Sequence, residues 1–412
     1  MRVALVLALL ALGGYLSLLT ALNNDLVADE NIHCPAILGI SRGDWTAARS
    51  LPMLPAYHWV AAQLISRFGE GVLGPRVLSS LFAGIGVAAA AAFLRQQAAR
   101  RDAGDALLQF AWNPLWFPFV ALAYTDVPSI ALVVAALAFQ ARSAFALCGI
   151  AMLAAALVRQ TALVWSGWII LHEALIIREA YDRHDISWRA ASLAWLRRTW
   201  PQLIVIAAAI GIVAYFGRFT PGRSEWNRIG FNPAQLYLFA LAIVMMWLPL
   251  IVSRAAGAWK RIGTSLLTRA HGIAAVLGLI AFLMLSYRST HGWNTDLWYV
   301  RNWPLQAMAA SLSWRLGLVL LIIAAAPPFY GLIHSQPERR AIWLVVGVAT
   351  AFAATQELAD PRYYIMSTML VNLLLRLEPM ESRMLTIWYA ALSALIALAV
   401  VFSVGGSGGG VW

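Results

Sequence analysis

The stretch Val3–Leu22, VALVLALLALGGYLSLLTAL, contains no charged side chain and is preceded by Arg2. A helix needs roughly 20 mostly apolar residues to cross a bilayer, so this stretch predicts a transmembrane helix. One basic residue before an apolar run is also typical of a signal peptide. No small-x-small cleavage site precedes Asn23, and we therefore expect an uncleaved first span.

The apolar character extends over the whole chain. Of its 412 residues, 61% are hydrophobic and 12% are charged, and the mean hydropathy is +0.71. A soluble fold could not cover this much apolar surface, so the sequence predicts an all-α polytopic membrane protein. Apolar windows predict about thirteen spans, at 4–23, 76–94, 106–123, 127–141, 144–158, 161–177, 201–217, 233–253, 271–287, 311–330, 341–356, 363–377 and 385–404. Spans four to six are short, and one pair of them could form a re-entrant feature.

Basic residues gather in alternate loops between the predicted spans. If the N-terminus is cytoplasmic, the following groups share one face: Arg95, Arg100 and Arg101; Arg178, Arg183, Arg189, Arg197 and Arg198; Arg254, Lys260, Arg261 and Arg269; Arg339 and Arg340; Arg376 and Arg383. Cytoplasmic loops carry the basic excess, so we assign this face to the cytoplasm. Topology then explains the net charge of +11, and no nucleic-acid partner is expected.

The sequence predicts a single integral-membrane domain over residues 1–404. Within it, residues 24–75 form a long first extracytoplasmic loop, and residues 405–412 form a flexible Gly-rich tail. Two cysteines, Cys34 and Cys148, are too few for a disulfide framework, and no Cys or His spacing matches a zinc site. We therefore expect no metal and no other cofactor.

The composition also indicates where the chain resides. It has no Asn-x-Ser/Thr sequon, and Lys260 is its single lysine among many arginines. These features are typical of a bacterial chain rather than one matured in an endoplasmic reticulum. We expect a bacterial inner membrane with the site facing outward, and the endoplasmic reticulum membrane is the alternative.

The long first loop carries the most informative polar group. Asp29 and Glu30 follow the end of the first span, His33 lies three residues after Glu30, and Trp45 follows later. Adjacent carboxylates at a membrane surface suit a transferase, in which one acid takes the proton from an acceptor hydroxyl. The alternative is a pair of solvated charges just beyond a helix end.

Other ionisable groups lie at the same predicted outer edge of the spans. They occur in Tyr124-Thr125-Asp126, in Arg159-Gln160-Thr161, and in the run from Gln356-Glu357 through Asp360 to Arg362-Tyr363. Such groups are costly at the edge of apolar spans, so each is a candidate functional residue. Arginine suits a phosphate because its planar fork donates two parallel hydrogen bonds. The alternatives are snorkelling of Arg159 to the interface and a structural Arg–carboxylate clamp at 356–363.

A further outward loop, His291 to Asn302, interleaves aromatic and polar residues. These are Trp293 and Trp298 with Asn294, Asp296 and Arg301, and Trp303 lies just beyond the loop. Aromatic faces beside hydrogen-bonding groups suit a sugar ring. Tryptophan also populates membrane interfaces for no catalytic reason, so the loop has two interpretations.

Taken in order, these motifs resemble the dolichyl-phosphate-glucose α-1,2-glucosyltransferases, GT-C superfamily members that add the terminal glucose to the lipid-linked oligosaccharide. The matching positions are Asp29-Glu30-x-x-His33, Trp45, Leu51-Pro52, Leu54-Pro55-Ala56-Tyr57, Arg76, Tyr124-Thr125-Asp126, Arg159-Gln160-Thr161, Gly222-Arg223-Ser224, Gln235-Leu236-Tyr237 and Gln356-Glu357 to Arg362-Tyr363. The chain departs from the family at Gly292 to Asp296, where an Asp-Asn-Arg-His-Tyr run is usual.

The resemblance implies an inverting, metal-independent transfer of a hexose, glucose in the family. The donor would be dolichyl or undecaprenyl phosphate hexose, and the acceptor a glycan or lipid-linked oligosaccharide on the outer face. Asp29 is implied as the general base, with Glu30 as the alternative, and Arg159, Arg362 and Arg223 as ligands of the donor phosphate. Donor or acceptor contacts are implied for His33, Trp45, Arg76, Tyr124, Asp126, Gln160, His291, Asn294, Arg301, Gln356, Glu357 and Tyr363.

Two other functions compete with this interpretation. A transporter or flippase would place ionisable groups near the bilayer midplane, often in repeated halves, whereas here they gather at one edge and no internal repeat is evident. A ligase or polymerase that moves a whole glycan from a polyprenyl diphosphate shares arginine-rich outward loops. It does not predict the early Asp29-Glu30 pair.

The arginine distribution predicts a topology that fusion reporters can check. A reporter placed after Arg100 or Arg189 is expected to signal the cytoplasm, and one placed after Arg42 or Asp296 the outside. If fusions after residues 42 and 189 report the same side, both the span map and the single-face arrangement of polar motifs are wrong.

Overall fold

The computed structural model describes residues 1–22, 25–27, 29–97, 100, 102–183, 187–217, 230–262, 270–289, 294 and 302–402. Every regular element in these ranges is helical, which confirms the predicted all-α class. The chain divides into two compact units. Unit 1 takes the described residues of Met1–Trp226 and those from Leu392 onward, and unit 2 takes those of Asn227–Ala391.

Unit 1 contains nine of the described helices. They are α1 (Arg2–Leu22), α2 (Glu30–Ser41), α3 (Ala56–Phe68), α4 (Leu73–Gln96), α5 (Ala103–Ala111), α6 (Asp126–Ala141), α7 (Phe145–Val158), α8 (Leu163–Asp182) and α9 (Trp188–Phe216). Short 3₁₀ helices lie at Trp45–Ser50, Phe117–Phe119 and Gln160–Ala162. The predicted first loop is therefore largely helical, since α2 and α3 both lie in it.

The remaining described helices lie in unit 2. The exception is the part of α17 from Leu392 onward, which belongs to unit 1. These helices are α10 (Pro233–Met246), α11 (Leu248–Ile262), α12 (Ala270–Ser286), α13 (Trp303–Ala310), α14 (Leu312–His334), α15 (Arg339–Ala354), α16 (Ile365–Leu374) and α17 (Pro379–Phe402). A 3₁₀ helix at Pro361–Tyr364 joins α15 to α16. Irregular chain at 355–360 precedes it and carries one of the predicted polar runs.

Six helical segments in the described residues are long and apolar enough to cross a membrane. They are Arg2–Leu22, Leu73–Gln96, Gln160–Asp182, Trp188–Tyr215, Leu312–His334 and Pro379–Phe402. A seventh is present if α10 and α11, which meet at 89°, count as one broken span. The chain is thus an integral membrane protein with several spans, and the number thirteen stays a prediction.

Two predicted windows are not continuous helices. In the window 106–123, α5 ends at Ala111 and the chain turns at Asn113-Pro114, because the residue before a proline is disfavoured in helical conformation. In the window 233–253, the helix breaks at Trp247, two residues before Pro249. Apolar composition alone does not report either break.

Close backbone approach brings the helices of unit 1 together. A Cβ at Gly149 on α7 would lie 2.4 Å from Cβ of Pro201 on α9, so only glycine fits this crossing. Small residues at helix crossings are typical of membrane proteins, where dispersion contacts replace the hydrophobic effect as the packing force. Pro201 lies inside α9, which ends at Gly217 in the left-handed conformation (φ 71°).

A buried carboxylate connects three helices of unit 1. Glu173 on α8 is 4% exposed. Its Oε1 accepts a hydrogen bond from Gln140 Nε2 on α6 at 2.8 Å, and its Oε2 accepts one from Arg198 Nη1 on α9 at 2.9 Å. Because a buried charge without a partner is strongly destabilising, Arg198 is expected to stabilise this packing.

Arg198→Met is predicted to lower the free energy of unfolding by about 1–3 kcal/mol, less than for a fully buried pair because Arg198 is 40% exposed. The matched control is Arg178→Met, since Arg178 pairs with Asp182 at 3.5 Å on the surface, and it is expected to change stability by about 0.5 kcal/mol or less. Thermal unfolding in detergent measures both. Equal losses in the two variants would contradict a special role for the Glu173 pair.

Candidate active site

Glu30 is enclosed and fully hydrogen-bonded. Its side chain and that of Arg76 are both 0% exposed. Oε1 accepts from Arg76 Nε at 3.1 Å and from the Ala123 backbone N–H at 2.8 Å. Oε2 accepts from Arg76 Nη2 at 2.7 Å and from the Val27 backbone N–H at 2.9 Å. Each oxygen accepts two hydrogen bonds, so neither is open to the hydroxyl of an acceptor molecule.

This buried clamp joins three separate parts of unit 1. Glu30 is the first residue of α2, Arg76 lies in the first turn of α4, and Ala123 lies three residues before α6. Arg76 Nη2 also donates to the Asp25 carbonyl at 2.8 Å. The structure thus places Glu30 and Arg76 in a buried ion pair, and their implied roles, Glu30 as the alternative base and Arg76 as a substrate contact, stay predictions.

Asp29 stands next to the clamp with its side chain in a different environment. It is partly exposed, and although it occupies the N-cap position of α2, its carboxylate does not cap the helix. Its backbone N–H donates to the Tyr124 hydroxyl at 2.9 Å. Tyr124 is fully buried, and its ring lies against Phe119 and His33 at centroid distances of 5.0 and 5.8 Å. The backbone of Asp29 is therefore fixed by Tyr124, and the residue is partly exposed where Glu30 is enclosed.

One turn further along α2, His33 meets a second buried histidine, His58. His33 is 3% exposed and His58, on α3, is 0% exposed. Nδ1 of His33 and Nε2 of His58 are 2.9 Å apart. Burial, and then the neighbouring His33, hold the pKa of His58 well below its usual value. Position 33 is a predicted contact, but nothing in the spacing of the sequence indicates that residue 58 would join it.

Asp126 and Arg159 form a second ion pair in unit 1. Asp126 begins α6 and is 4% exposed, and Arg159 lies directly after α7 with a side chain that is 14% exposed. Arg159 Nη1 donates to Asp126 Oδ2 at 2.7 Å and to Thr125 Oγ1 at 3.4 Å. Within the part of the chain that the structure describes, Nε and Nη2 of Arg159 have no partner, so the pair orients the guanidinium and leaves part of its fork available.

An apolar cavity reaches the residue after Arg159. It is lined by Leu54, Leu153, Ala156, Leu157, Gln160, Leu163, Val205, Ala209 and Ile212. Gln160 is its one amide side chain, and it belongs to the predicted Arg159-Gln160-Thr161 corner.

Trp45 opens the 3₁₀ helix between α2 and α3 and is 53% exposed, so its ring is presented at the surface of unit 1.

In unit 2, amide side chains bind the irregular backbone between α15 and the next 3₁₀ helix. Asn294 is used twice, because its Nδ2 donates to the Glu357 carbonyl at 3.0 Å and its Oδ1 accepts from the Ala359 N–H at 2.8 Å. The other donors are Asn232 to Glu357 O, Gln235 to Leu358 O at 2.7 Å, and Asn302 to Ala359 O at 2.6 Å. Asn294 thus holds this backbone in place, and its implied substrate contact stays a prediction.

A structural Arg–carboxylate clamp is one of the two interpretations that the sequence allows for residues 356–363, and the structure contains such a clamp in unit 2. Asp360 is 0% exposed, and its Oδ2 accepts from Arg362 Nε at 2.8 Å and from Arg362 Nη2 at 2.6 Å. The same carboxylate caps the 3₁₀ helix through the Arg362 backbone N–H at 2.9 Å. Tyr363 packs edge-on against Phe352, with ring centroids 5.8 Å apart.

Glu357 lies in a different environment from the nearby Asp360. It is half-buried, and its carboxylate has no hydrogen-bond partner among the described residues. The backbone at Gly230 passes directly over it, and a Cβ there would lie 2.6 Å from Glu357 Oε1. The neighbouring Gln356 donates from Nε2 to Thr355 Oγ1 at 3.4 Å. Three predicted contacts, Arg223, His291 and Arg301, lie outside the described residues.

Several residues that organise these sites carry no predicted role. Asn302 is fully buried, and Tyr364, also fully buried, donates to the backbone and side-chain oxygens of Gln235. Asn232 is the exception, because Asn followed by Pro233 is typical of a helix start and is visible in the sequence. In the structure its Oδ1 accepts from the Ala234 N–H at 3.1 Å. The other contacts depend on residues distant in the chain.

Two solved structures align with the chain. The crystal structure of ArnT from Cupriavidus metallidurans bound to undecaprenyl phosphate aligns with 14% identity and a TM-score of 0.41, over 95% of this chain and 76% of ArnT. Its apo state aligns with 15% identity and a TM-score of 0.42, over 96% and 76% of the two chains. No curated protein sequence matches the chain.

The family follows from the sequence of the chain as a whole. The model of the DIE2/ALG10 family matches residues 28–373, which include both acids of the first motif, the Arg159 corner and the Asp360–Arg362 clamp. The resemblance found in the motifs is thereby confirmed. The chain belongs to the DIE2/ALG10 family, and it is a GT-C glycosyltransferase of the membrane that uses a polyprenyl-phosphate-linked sugar.

Proposed function

We propose that the protein transfers a hexose, glucose in the first instance, from a polyprenyl monophosphate to a hydroxyl of a glycan or lipid-linked oligosaccharide. The transfer takes place on the extracytoplasmic face of a bacterial inner membrane, proceeds with inversion, forms an α-1,2 linkage and needs no metal ion. The acceptor hydroxyl loses its proton to Asp29, its oxygen attacks the anomeric carbon, and the polyprenyl phosphate leaves.

The single observation that carries this proposal is the contrast between the two adjacent acids. Glu30 has both oxygens saturated by Arg76 and two backbone N–H groups, whereas Asp29 is partly exposed and its backbone N–H donates to the Tyr124 hydroxyl. A general base must reach the proton that it abstracts. The partly exposed Asp29 suits this condition. The enclosed Glu30 holds the adjacent backbone in place through its ion pair with Arg76.

Arg159 is the residue of unit 1 that best suits the donor phosphate. Asp126 holds Nη1, and the remaining donors of the fork suit a phosphate that gains charge as it leaves. In unit 2, Nε and Nη2 of Arg362 both donate to Asp360. Because these donors are already engaged, Arg362 is the weaker candidate for a phosphate ligand.

Glu357 supplies a carboxylate suited to sugar hydroxyls in unit 2. Its backbone is fixed by Asn232 and Asn294, and its oxygens have no partner among the described residues. A carboxylate that accepts hydrogen bonds from hydroxyls would orient a sugar ring without taking part in proton transfer. Mass analysis of lipid-linked sugars that accumulate after deletion of the gene would identify the sugar and the acceptor.

Asp29→Asn is predicted to reduce turnover by about a hundred- to ten-thousand-fold, because it removes basicity while preserving size and hydrogen bonding. Its thermal unfolding midpoint should stay near that of the parent, since the side chain is partly exposed and does not cap α2. Turnover is measured with purified protein, polyprenyl-phosphate glucose and a tagged glucoside acceptor. Transfer at the parental rate would contradict the assignment of the base.

Glu30→Gln is the matched comparison, because it makes the same chemical change one residue away. The amide places an NH₂ group against donors from Arg76, Val27 or Ala123, so the free energy of unfolding should fall by about 3 kcal/mol or more. The fraction that folds should lose less turnover than Asp29→Asn. The reverse pattern would make Glu30 the base.

Arg159→Lys is predicted to weaken donor binding and turnover together, because an ammonium keeps the charge but loses the planar fork. The matched control is Arg42→Lys, since Arg42 pairs with Glu70 at 2.6 Å on the exposed surface, where both side chains are 60% exposed. KM for the polyprenyl-phosphate donor measures the effect. An unchanged donor KM and kcat in Arg159→Lys would leave Arg159 as only a partner of Asp126.

A further inference from the structure

Glu357 carries a half-buried carboxylate that pairs with no cation and no hydrogen-bond donor of the described chain. Its neighbour Asp360 differs, because two donors of the Arg362 guanidinium hold that carboxylate. An ionisable group at the edge of membrane spans is costly to place there, and it is a candidate functional residue. Since the described fold does not neutralise Glu357, its carboxylate is available to a ligand of unit 2.

Hydrogen bonds fix the backbone of Glu357. Its carbonyl accepts from Asn232 Nδ2 and from Asn294 Nδ2, the second at 3.0 Å. Oδ1 of Asn294 also accepts from the Ala359 N–H at 2.8 Å, which holds the chain two residues further on. A binding group must be held in place before its ligand arrives, and the backbone that carries Glu357 meets this condition.

The backbone of Gly230 closes one side of the Glu357 carboxylate. The Gly230 N–H donates to the Thr355 carbonyl at 3.0 Å. The Asn232 N–H donates to the Ala354 carbonyl at 3.1 Å, so two backbone bonds hold the chain before α10 against the end of α15. A Cβ on Gly230 would lie 2.6 Å from Oε1, 2.9 Å from Cγ and 3.1 Å from Cδ of Glu357. The φ angle of Gly230 is outside the left-handed region, so glycine is required here for space.

The side of the carboxylate away from Gly230 suits two hydroxyl groups. An ionised carboxylate only accepts hydrogen bonds, and its two oxygens can take two parallel donors. Neighbouring hydroxyls on a sugar ring supply such a pair, whereas a sugar with its own carboxylate is repelled. We propose that Glu357 binds two adjacent hydroxyls of a neutral hexose, and that Gly230 determines this specificity by leaving room for the carboxylate. This role rests on the proposed function and adds to it the class of the sugar ring.

Deoxy sugars test the contact at Glu357. One series removes single hydroxyls from the glucose of polyprenyl-phosphate glucose, and the other removes them from a tagged glucoside acceptor. In the parent, loss of either recognised hydroxyl is expected to lower kcat/KM by about 10- to 100-fold, the usual effect of losing a hydrogen bond to a charged group. The two sensitive positions should be adjacent and lie in one substrate, which identifies that substrate as the ligand.

Glu357→Ala removes the carboxylate, so deoxy and intact sugars should then react with kcat/KM values within about twofold of each other. The matched control is Glu378→Ala, which removes an exposed acid of unit 2 and should keep the discrimination of the parent. A glucuronosyl analogue of the sensitive substrate tests the charge. The parent should reject it, and Glu357→Gln should raise its kcat/KM relative to glucose by about tenfold or more, because the like charge is gone.

Gly230→Ala tests the space beside the carboxylate. The added methyl should turn Glu357 away, so kcat/KM for the intact sugar should fall towards the value of Glu357→Ala. When Gly230→Ala is added to Glu357→Ala, no carboxylate remains to be displaced, and the further loss should be about twofold or less. The matched control is Gly347→Ala on α15, where a Cβ would meet no atom within 4 Å, and it should keep the kcat/KM of the parent.

Four results would overturn this role. They are equal kcat/KM for intact and deoxy sugars in the parent, parental discrimination in Glu357→Ala, full additivity of Gly230→Ala with Glu357→Ala, and a preference of the parent for an amino-sugar analogue that Glu357→Gln abolishes. Should Gly230→Ala fail to fold, the double variant should fold because the clash is gone, and its failure would contradict the steric role of Gly230. Failure of the proposed function is distinct, because the parent would then transfer no glucose from the donor.

Discussion

The ion pair between Glu30 and Arg76 is the contact on which the rest of unit 1 depends. Removing both charges from water costs several kcal/mol per ion, and the attraction between them compensates only if their remaining donors and acceptors are satisfied. Here the backbone N–H groups of Val27 and Ala123 donate the remaining hydrogen bonds to the Glu30 carboxylate. The Asp25 carbonyl accepts a further hydrogen bond from the Arg76 guanidinium. The chain must therefore bring three distant segments together before this pair is stable.

The catalytic candidates are positioned through their adjacency to that pair. Asp29 precedes Glu30 in the chain, and Tyr124, which accepts its N–H, follows Ala123. Asp126, the partner of Arg159, lies two residues after Tyr124. In unit 2, neutral side chains satisfy the buried backbone instead of charged ones. The carbonyls of residues 357–359 accept hydrogen bonds from asparagine and glutamine amides. Irregular backbone in a membrane protein persists where its polar groups are satisfied in this way.

The sequence predicts those features of the chain that depend on composition or on near neighbours. Apolar windows indicate the helices, and the acid pair, the Arg159 corner and the Asp360–Arg362 clamp are visible as short motifs. The sequence does not distinguish Asp29 from Glu30, because the partners of Glu30 lie 46 and 93 residues away in the chain. The scaffold role of Asn294 is hidden for the same reason, since it binds backbone 63 residues later. Breaks at Asn113-Pro114 and Trp247 are local, but a hydropathy window averages over them.

The close passage of Gly230 over Glu357 has a consequence for how members of the family can diverge. Any other residue at 230 would add an atom that overlaps the carboxylate, and the acid would have to turn or shorten to make room. The side chains that fit at positions 230 and 357 are thus sterically coupled. A lineage that first shortens residue 357 can then acquire a side chain at 230 freely, whereas the opposite order forces Glu357 to turn away first.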